Sequence, residues 1–557
     1  MEIIKNDIKE VILKLFNLEI EPNLSRPDYN FGDYSTNIAF ELAAKLKKNP
    51  SDIAELIKTE LELNSLLSEV VVLNRGFLNI RLKNKELIKL LEFSPKSTFD
   101  NKIIVSEYSN PNPFKQLHVG HLFTSIVGDA ISNLLSEVGS KVYRVNFGGD
   151  IGLHVAINMY AILEEVKGDI NVLDKIKAED RSSWLSSKYV SGYEAYNSNE
   201  EVKEEIKKLN KDIYKIAVNN LHDSMLAKIY WITRDWSYTY FKDFYKQLNI
   251  SFDKYYPESS VAELGLQIVK DNLGKVFVKS DQAIIFDGTK DSVNTYVFVS
   301  SDGVPTYSAK DIGLIFQKKK DFNFDYSVVI TGNEQADYMK TVLASVSKID
   351  PNLSDHTIHL THGLVKGFGG AKFSSRLGNA PLATDLIDET KKAFKKFGDL
   401  EDDFNLVKAA IKYSFLKQKY NGDIIYDPKE AVSLEGKSGP YLLYAYVRAL
   451  KIQNSSKYSK GSISFENKDL ELDQYERKLI FKISEFNEVL NNAINELKPH
   501  VLAIYLYELA QNFNVFYENV RVLNDPREQI RIFIITKYLS VLKKGLKLLG
   551  IDTISKM

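Results

Sequence analysis

The chain has 557 residues, 44% apolar and 26% charged, enough to bury several hydrophobic cores and too long for one domain of ~100–200 residues, so roughly three or four domains are expected. The absence of cysteine excludes disulfides, thiolate metal ligands and a cysteine nucleophile, leaving oxygen or histidine to hold any metal. With 73 Lys and Arg against 74 Asp and Glu the net charge is -1, so polyanion binding has to come from local patches: Lys391 to Lys396, Arg448 to Lys460 and Lys537 to Lys547, each of which equally suits a solvated helix face.

The opening segment MEIIKNDIKEVILKLFNLEI has apolar residues at helical spacing and no leader pattern, which predicts a folded helix in a cytoplasmic protein. A second helical stretch, NIAFELAAKLKKNPSDIAELIKTELEL, and the β-rich VVVLNRGFLNIRL complete a small α+β domain over 1–98. No run approaches the ~18 apolar residues a membrane span requires. From Lys102, KIIVSEYS reads as a buried parallel strand, followed by the Pro-rich loop NPNPFKQ, the helix HVGHLFTSIVGDAISNLLSEVGS ending at Gly139, and the strand KVYRVNF. That is a βαβ unit, so a Rossmann-like doubly wound sheet is predicted for 99–383. Residues from about 158 to 295 mix charged helices with short strands and read as an inserted subdomain; YVFVSSDGVPTYSAKDIG and DYSVVITG return to the buried-strand pattern. Amphipathic runs such as LVKAAIKYSFLKQKY and PHVLAIYLYELAQNFNVFYENVRVL predict an all-helical domain over 384–557.

His118 and His121 stand at a strand exit and helix start, with Gly120 between them removing a side chain where a ligand could approach. Alone, this HxxH fits a metal pair or two satisfied histidines as well as a phosphate site. Gly369, Gly370, Lys372, Ser374, Ser375 and Arg376 form a second feature, a loop of cations and hydroxyls able to close over a triphosphate, or an ordinary surface loop. Their occurrence at opposite ends of one α/β domain favours a nucleotide site. His359 and His362, a second HxxH in an extended run without a nearby acid, are assigned to packing, and His154 is left without a role.

HVGH and KFSSR resemble the two signature motifs of class I aminoacyl-tRNA synthetases, usually written HIGH and KMSKS. EYSNPNPFKQLHVGHLFTSIVGDAISNLL, SDGVPTYSAKDIG, SLEGKSGPYLLYAYVRA and the tail to LKLLGIDTISKM are similar to segments of the arginyl enzymes, and NFGDYSTNIAFELAAKLKKNP with NRGFLNIRL to their added N-terminal domain. The resemblance implies an ATP-dependent ligase joining arginine to tRNA(Arg) through an arginyl-adenylate, with magnesium carried by ATP, no zinc, and a monomer. It places His118, Gly120, His121, Lys372, Ser374, Ser375 and Arg376 at ATP, and Glu107, Asn112, Tyr307, Asp311 and Gln335 around arginine. Asn74, Phe77 and Asn79 are placed at the tRNA D-loop. Ser375 stands where KMSKS has its second lysine and Phe373 where it has methionine. A cation is therefore missing, and Lys115, three residues before His118, is expected to supply it, with Arg376 as rival. The aromatic stripe Tyr505, Phe513, Phe516 and Tyr517 reads as helical core. Another class I synthetase, a silent tRNA-binding paralogue and a small-molecule adenylyltransferase with HxGH are the alternatives. The Tyr307 and Asp311 pair, the intact loops and the long helical tail argue against them in turn.

Overall fold

The computed structural model describes residues 2–73, 75–92, 95–367, 381–395, 403–458 and 470–557. At the N-terminus, helices Glu2–Phe16, Ile38–Leu46 and Pro50–Leu61 pack on four antiparallel strands, β1 (Leu24–Ser25), β2 (Tyr34–Thr36), β3 (Leu67–Leu73) and β4 (Phe77–Leu82), ordered β1-β2-β4-β3. The third helix starts where its sequence dictates: Pro50 occupies the first turn, where no amide donor is needed, and the Asn49 side chain accepts from Ser51 N. Ile8, Ile12, Ile53, Ile57, Leu78 and Ile80 form the core.

Two arginines fasten this domain to the C-terminal helices. Arg477 forks onto Asp33 at 3.1 and 2.8 Å, and Arg26 onto Glu488 at 2.8 and 3.0 Å. Planar bidentate pairing fixes orientation as well as distance.

The central sheet is fully parallel. Its strands are β5 (Ile103–Glu107), β6 (Lys141–Gly148) and β7 (Lys254–Pro257), then, after the antiparallel set β8 (Val278–Ser280), β9 (Ala283–Phe286) and β10 (Tyr296–Val299), β11 (Tyr326–Gly332) and β12 (Thr357–His362). The order β12-β11-β5-β6-β7 reverses direction at β5, so a crevice opens beyond the carboxyl ends of β5 and β11.

Two sequence expectations change here. The insertion expected at about 158–295 is not continuous: helices Arg181–Ser198, Glu200–Val218 and Met225–Gln247 leave the sheet, but β7 returns to it beside β6. Its sequence KYYP lacks the apolar β-branched signature because an edge strand is covered less completely than a central one. In YVFVSSDGVPTYSAKDIG only Tyr296–Val299 is strand, in the small antiparallel sheet, while Tyr307–Phe322 is helical.

The helix Val119–Glu137 is apolar nearly all round, LFTSIVGDAISNLL, because it is wrapped by the sheet on one side and the C-terminal helices on the other. Gly128 permits that contact; a Cβ there would lie 2.2 Å from Tyr108 Cγ. The C-terminal region is a bundle built on Phe404–Leu416, Gly439–Ser455, Gln474–Ser484, Pro499–Asn519 and Glu528–Leu548. One short strand, β14 (Ile424–Tyr426), pairs in parallel with β13 (Val365–Gly367) of the preceding domain. Tyr505, Phe513 and Phe516 are core, whereas Tyr517 is exposed beside Arg448. Among the described residues no helix is long and apolar enough to cross a membrane.

Candidate active site

A cavity of ≈ 1520 Å³ opens at the sheet's switch point. Its lining brings together Glu107, Asn112, His118, Gly120, His121, Tyr307, Asp311 and Gln335 from segments separated by more than two hundred positions. Lys115 does not line it: its ammonium sits 3.6 Å over the ring of Tyr189, a residue of the helix Arg181–Ser198. Lys372, Ser374, Ser375, Arg376 and Asn74, with Gly369, Gly370 and Phe373, lie outside the described residues.

At one end, His118 caps the helix Val119–Glu137. Its Nδ1 accepts from His121 N and the His121 Nδ1 accepts from His118 N, both at 3.3 Å, and the two rings stack 3.6 Å apart. The reciprocal cap has a chemical consequence. A ring nitrogen that accepts a backbone N–H carries no proton, so each neutral imidazole holds its proton on Nε2. Burial, together with His362 and Lys115 nearby, lowers His118 to about 4, and burial takes His121 well below the usual histidine range. The pair therefore offers two N–H donors and the helix N-terminus rather than two positive charges. Gly120 makes room for this arrangement; a Cβ there would stand 2.9 Å from His118 Nδ1. His362 closes the same wall, its Nε2 2.6 Å from Thr124 Oγ1, while His359 pairs with Thr331 at 2.8 Å. His154 Nε2 donates to Gly149 O at 2.9 Å, which places the ring proton on that nitrogen.

The opposite end is acidic. Glu107, 3% exposed at the end of β5, meets Lys318 Nζ at 2.6 Å, and Glu258 meets Lys310 Nζ at 2.6 Å. Asp311, on the helix Tyr307–Phe322 that carries both lysines, accepts from the Tyr338 hydroxyl. Burial, with Glu107 and Glu258 adding to it against Tyr338 and Lys318, raises Asp311 to about 7. Glu107 and Glu258 are thus matched by lysines, whereas Asp311 has a hydroxyl as its hydrogen-bond donor. Tyr307, one turn before Asp311, is half-exposed with its hydroxyl near Gly152. Asn112 is held by accepting from Gly149 N at 3.0 Å. Beneath them buried Asp150 accepts from Ser259 N at 2.9 Å and pairs with Arg234 Nε at 3.1 Å, fixing the turn that presents Glu258.

Lys310, Lys318, Glu258 and Tyr338 were not singled out from sequence. The lysines had a signal, since Tyr307, Lys310, Asp311 and Lys318 follow helical spacing in YSAKDIGLIFQK. Glu258 and Tyr338 come from other segments and had none.

A guanidinium placed against Asp311 would pair with the ionised acid, so its affinity would fall as Asp311 protonates. Titration calorimetry of arginine with the free chain is expected to give a Kd about tenfold higher at pH 6 than at pH 8, with the change centred near pH 7. A flat profile would mean that Asp311 does not meet the guanidinium.

Comparison with known proteins settles the family. The catalytic domain described as class I tRNA synthetases (R) matches residues 84–417, the arginyl-tRNA synthetase N-terminal domain 2–82, and the DALR anticodon binding domain 442–557. The arginine–tRNA ligase of Borrelia garinii is 31% identical, covering 100% of this chain and 99% of the relative. The chain belongs to the arginyl-tRNA synthetase family. Within that family, the arginine–tRNA ligase of Flavobacterium psychrophilum is 29% identical over 100% of this chain and 99% of its own length. The solved arginyl-tRNA synthetase of Thermus thermophilus superposes with a TM-score of 0.78 at 23% identity, each chain covered fully, and that of Plasmodium falciparum with 0.79 at 22%, covering 100% of this chain and 99% of the other. Those two likenesses show that this synthetase family member has the same fold from end to end.

Proposed function

We propose that the chain is an arginine–tRNA ligase. The arginine carboxylate attacks the α-phosphorus of MgATP, pyrophosphate leaves with the bonding electrons, and a terminal ribose hydroxyl of tRNA(Arg) then attacks the adenylate carbonyl and releases AMP. The observation that carries this reading is the cavity's polarity, with an unmatched buried carboxylate at one end and neutral imidazole donors on a helix N-terminus at the other.

Asp311 and Tyr307 receive the guanidinium, whose five donors suit a carboxylate and a phenol oxygen; Gln335, exposed in the turn Asn333–Gln335, borders them. Glu107 and Asn112 serve the amino acid's backbone end. His118 and His121 donate to phosphate oxygens as charge grows on them, with Gly120 leaving space for the nucleotide. Lys372, Ser374, Ser375 and Arg376 are assigned to the triphosphate from their sequence pattern. Magnesium enters with the nucleotide; among the described residues no group of three or more His, Asp or Glu could hold a metal ion.

For tRNA, Phe77, 41% exposed and packed edge-on against Phe40 at 5.1 Å, is open to a stacking base. Asn79, 6% exposed, acts from within the sheet beside it, with Asn74 as their sequence neighbour.

Pyrophosphate exchange with arginine, with and without tRNA(Arg), tests the reading. Exchange that depends on arginine and is enhanced by tRNA supports it, and exchange with another amino acid but none with arginine would overturn it. The charge on the ATP side has its own test. Lys115→Ala is expected to slow arginine activation by about tenfold, through the loss of a positive charge whose field reaches His118 although its ammonium lies over Tyr189. If that variant stayed within a few-fold of the parent while Arg376→Ala abolished exchange, Arg376 would be the compensating cation.

A further inference from the structure

The helix Arg181–Ser198 leaves the sheet yet is bolted to the loop that precedes HVGH. Ser186 Oγ accepts from Gln116 N at 2.9 Å, and Leu185 O accepts from Asn158 Nδ2 at 2.7 Å. Gly192 presses on the neighbouring helix so closely that a Cβ would lie 2.1 Å from Ile157 O. On a helix so fixed, Tyr189 and Tyr193 stand one turn apart with rings 6.0 Å apart and 25° from parallel. The outer ring is open: Tyr193 is 49% exposed. The inner ring lies under the ammonium of Lys115, three residues before His118. Tyr193, Tyr189 and Lys115 thus form a ladder running from solvent to the loop that leads into His118.

We propose that Tyr193 and Tyr189 are a stacking platform for the unpaired nucleotides at the 3′ end of the substrate tRNA. This rests on the ligase reading, which requires a single-stranded end to pass from solvent into the cavity. Every base presents a π-face, so stacked rings attract such a strand without demanding a sequence, and a cation beside the inner ring complements its backbone. The lysine of this helix itself, Lys188, is engaged by Glu165. A purely structural i,i+4 aromatic pair would support the helix by a few tenths of a kcal/mol. It would require neither a half-exposed outer ring nor an inner ring in contact with Lys115.

The test compares the parent full-length chain with Tyr193→Ala and Tyr193→Phe, using tRNA(Arg) and the same tRNA without its unpaired 3′ nucleotides. Tyr193→Ala is expected to weaken binding of intact tRNA, and raise its KM in arginylation, by roughly five- to hundredfold, with Tyr193→Phe close to the parent. The shortened tRNA is expected to bind parent and Tyr193→Ala equally. An equal loss for both tRNAs, or no loss for either, overturns the platform. Tyr193→Leu, which keeps bulk without a π-face, replaces Tyr193→Ala if a thermal melt shows that the latter unfolds. Failure of the parent to arginylate any tRNA would instead remove the ligase reading on which the platform rests.

Discussion

Asp311→Asn is expected to lower kcat/KM for arginine in pyrophosphate exchange by on the order of 10²–10³, with the KM for ATP within a few-fold of the parent. The carboxylate is buried and has a hydroxyl, not a cation, as its hydrogen-bond donor, and the proposed function makes it the counter-charge for the guanidinium. Removing one partner of a buried charged pair leaves the other desolvated and unmatched, which costs ~3–5 kcal/mol. Glu107 and Glu258 do not compensate, because Lys318 and Lys310 already occupy them at 2.6 Å each. The neutral amide should also abolish the pH dependence of arginine binding near pH 7. A variant that bound arginine as tightly as the parent would place the guanidinium elsewhere in the cavity.

His121→Ala is expected to reduce kcat for arginine activation by on the order of 10²–10³, the cost of losing one donor aimed at charge that develops in the transition state. The arginine KM should move little, because an interaction made mainly in the transition state is lost from kcat. Since the His121 ring also accepts from His118 N, the substitution removes half of the helix cap. A fall in melting temperature of a few degrees is therefore expected beside the kinetic loss. His121→Asn keeps a side-chain donor and an acceptor for the cap, and is expected to recover part of both. If single-turnover activation by His121→Ala matched the parent, the imidazole would be a structural cap alone.

The ionisation of this pair could not have been read from HVGH. Spacing put both histidines at a helix start, but their neutrality follows from the reciprocal cap and from burial against His362, which arrives from the far end of the sheet. The same holds for Lys115. Its position three residues before His118 was visible, whereas the ring of Tyr189 beneath its ammonium belongs to a helix about seventy positions later.

By itself the sequence determined what depends on local chemistry. Apolar β-branched runs gave β5, β6 and β11, and apolar residues recurring at three and four gave the helix after HVGH. His118, His121 and Asp311, which the structure brings to one cavity, were singled out through the family resemblance of short segments and not through periodicity. Only the tertiary structure decided how the pocket is charged. That depends on which lysine neutralises which carboxylate across distances such as Glu107 to Lys318, and a Coulombic pairing between buried groups is set by separation in space, which periodicity does not encode.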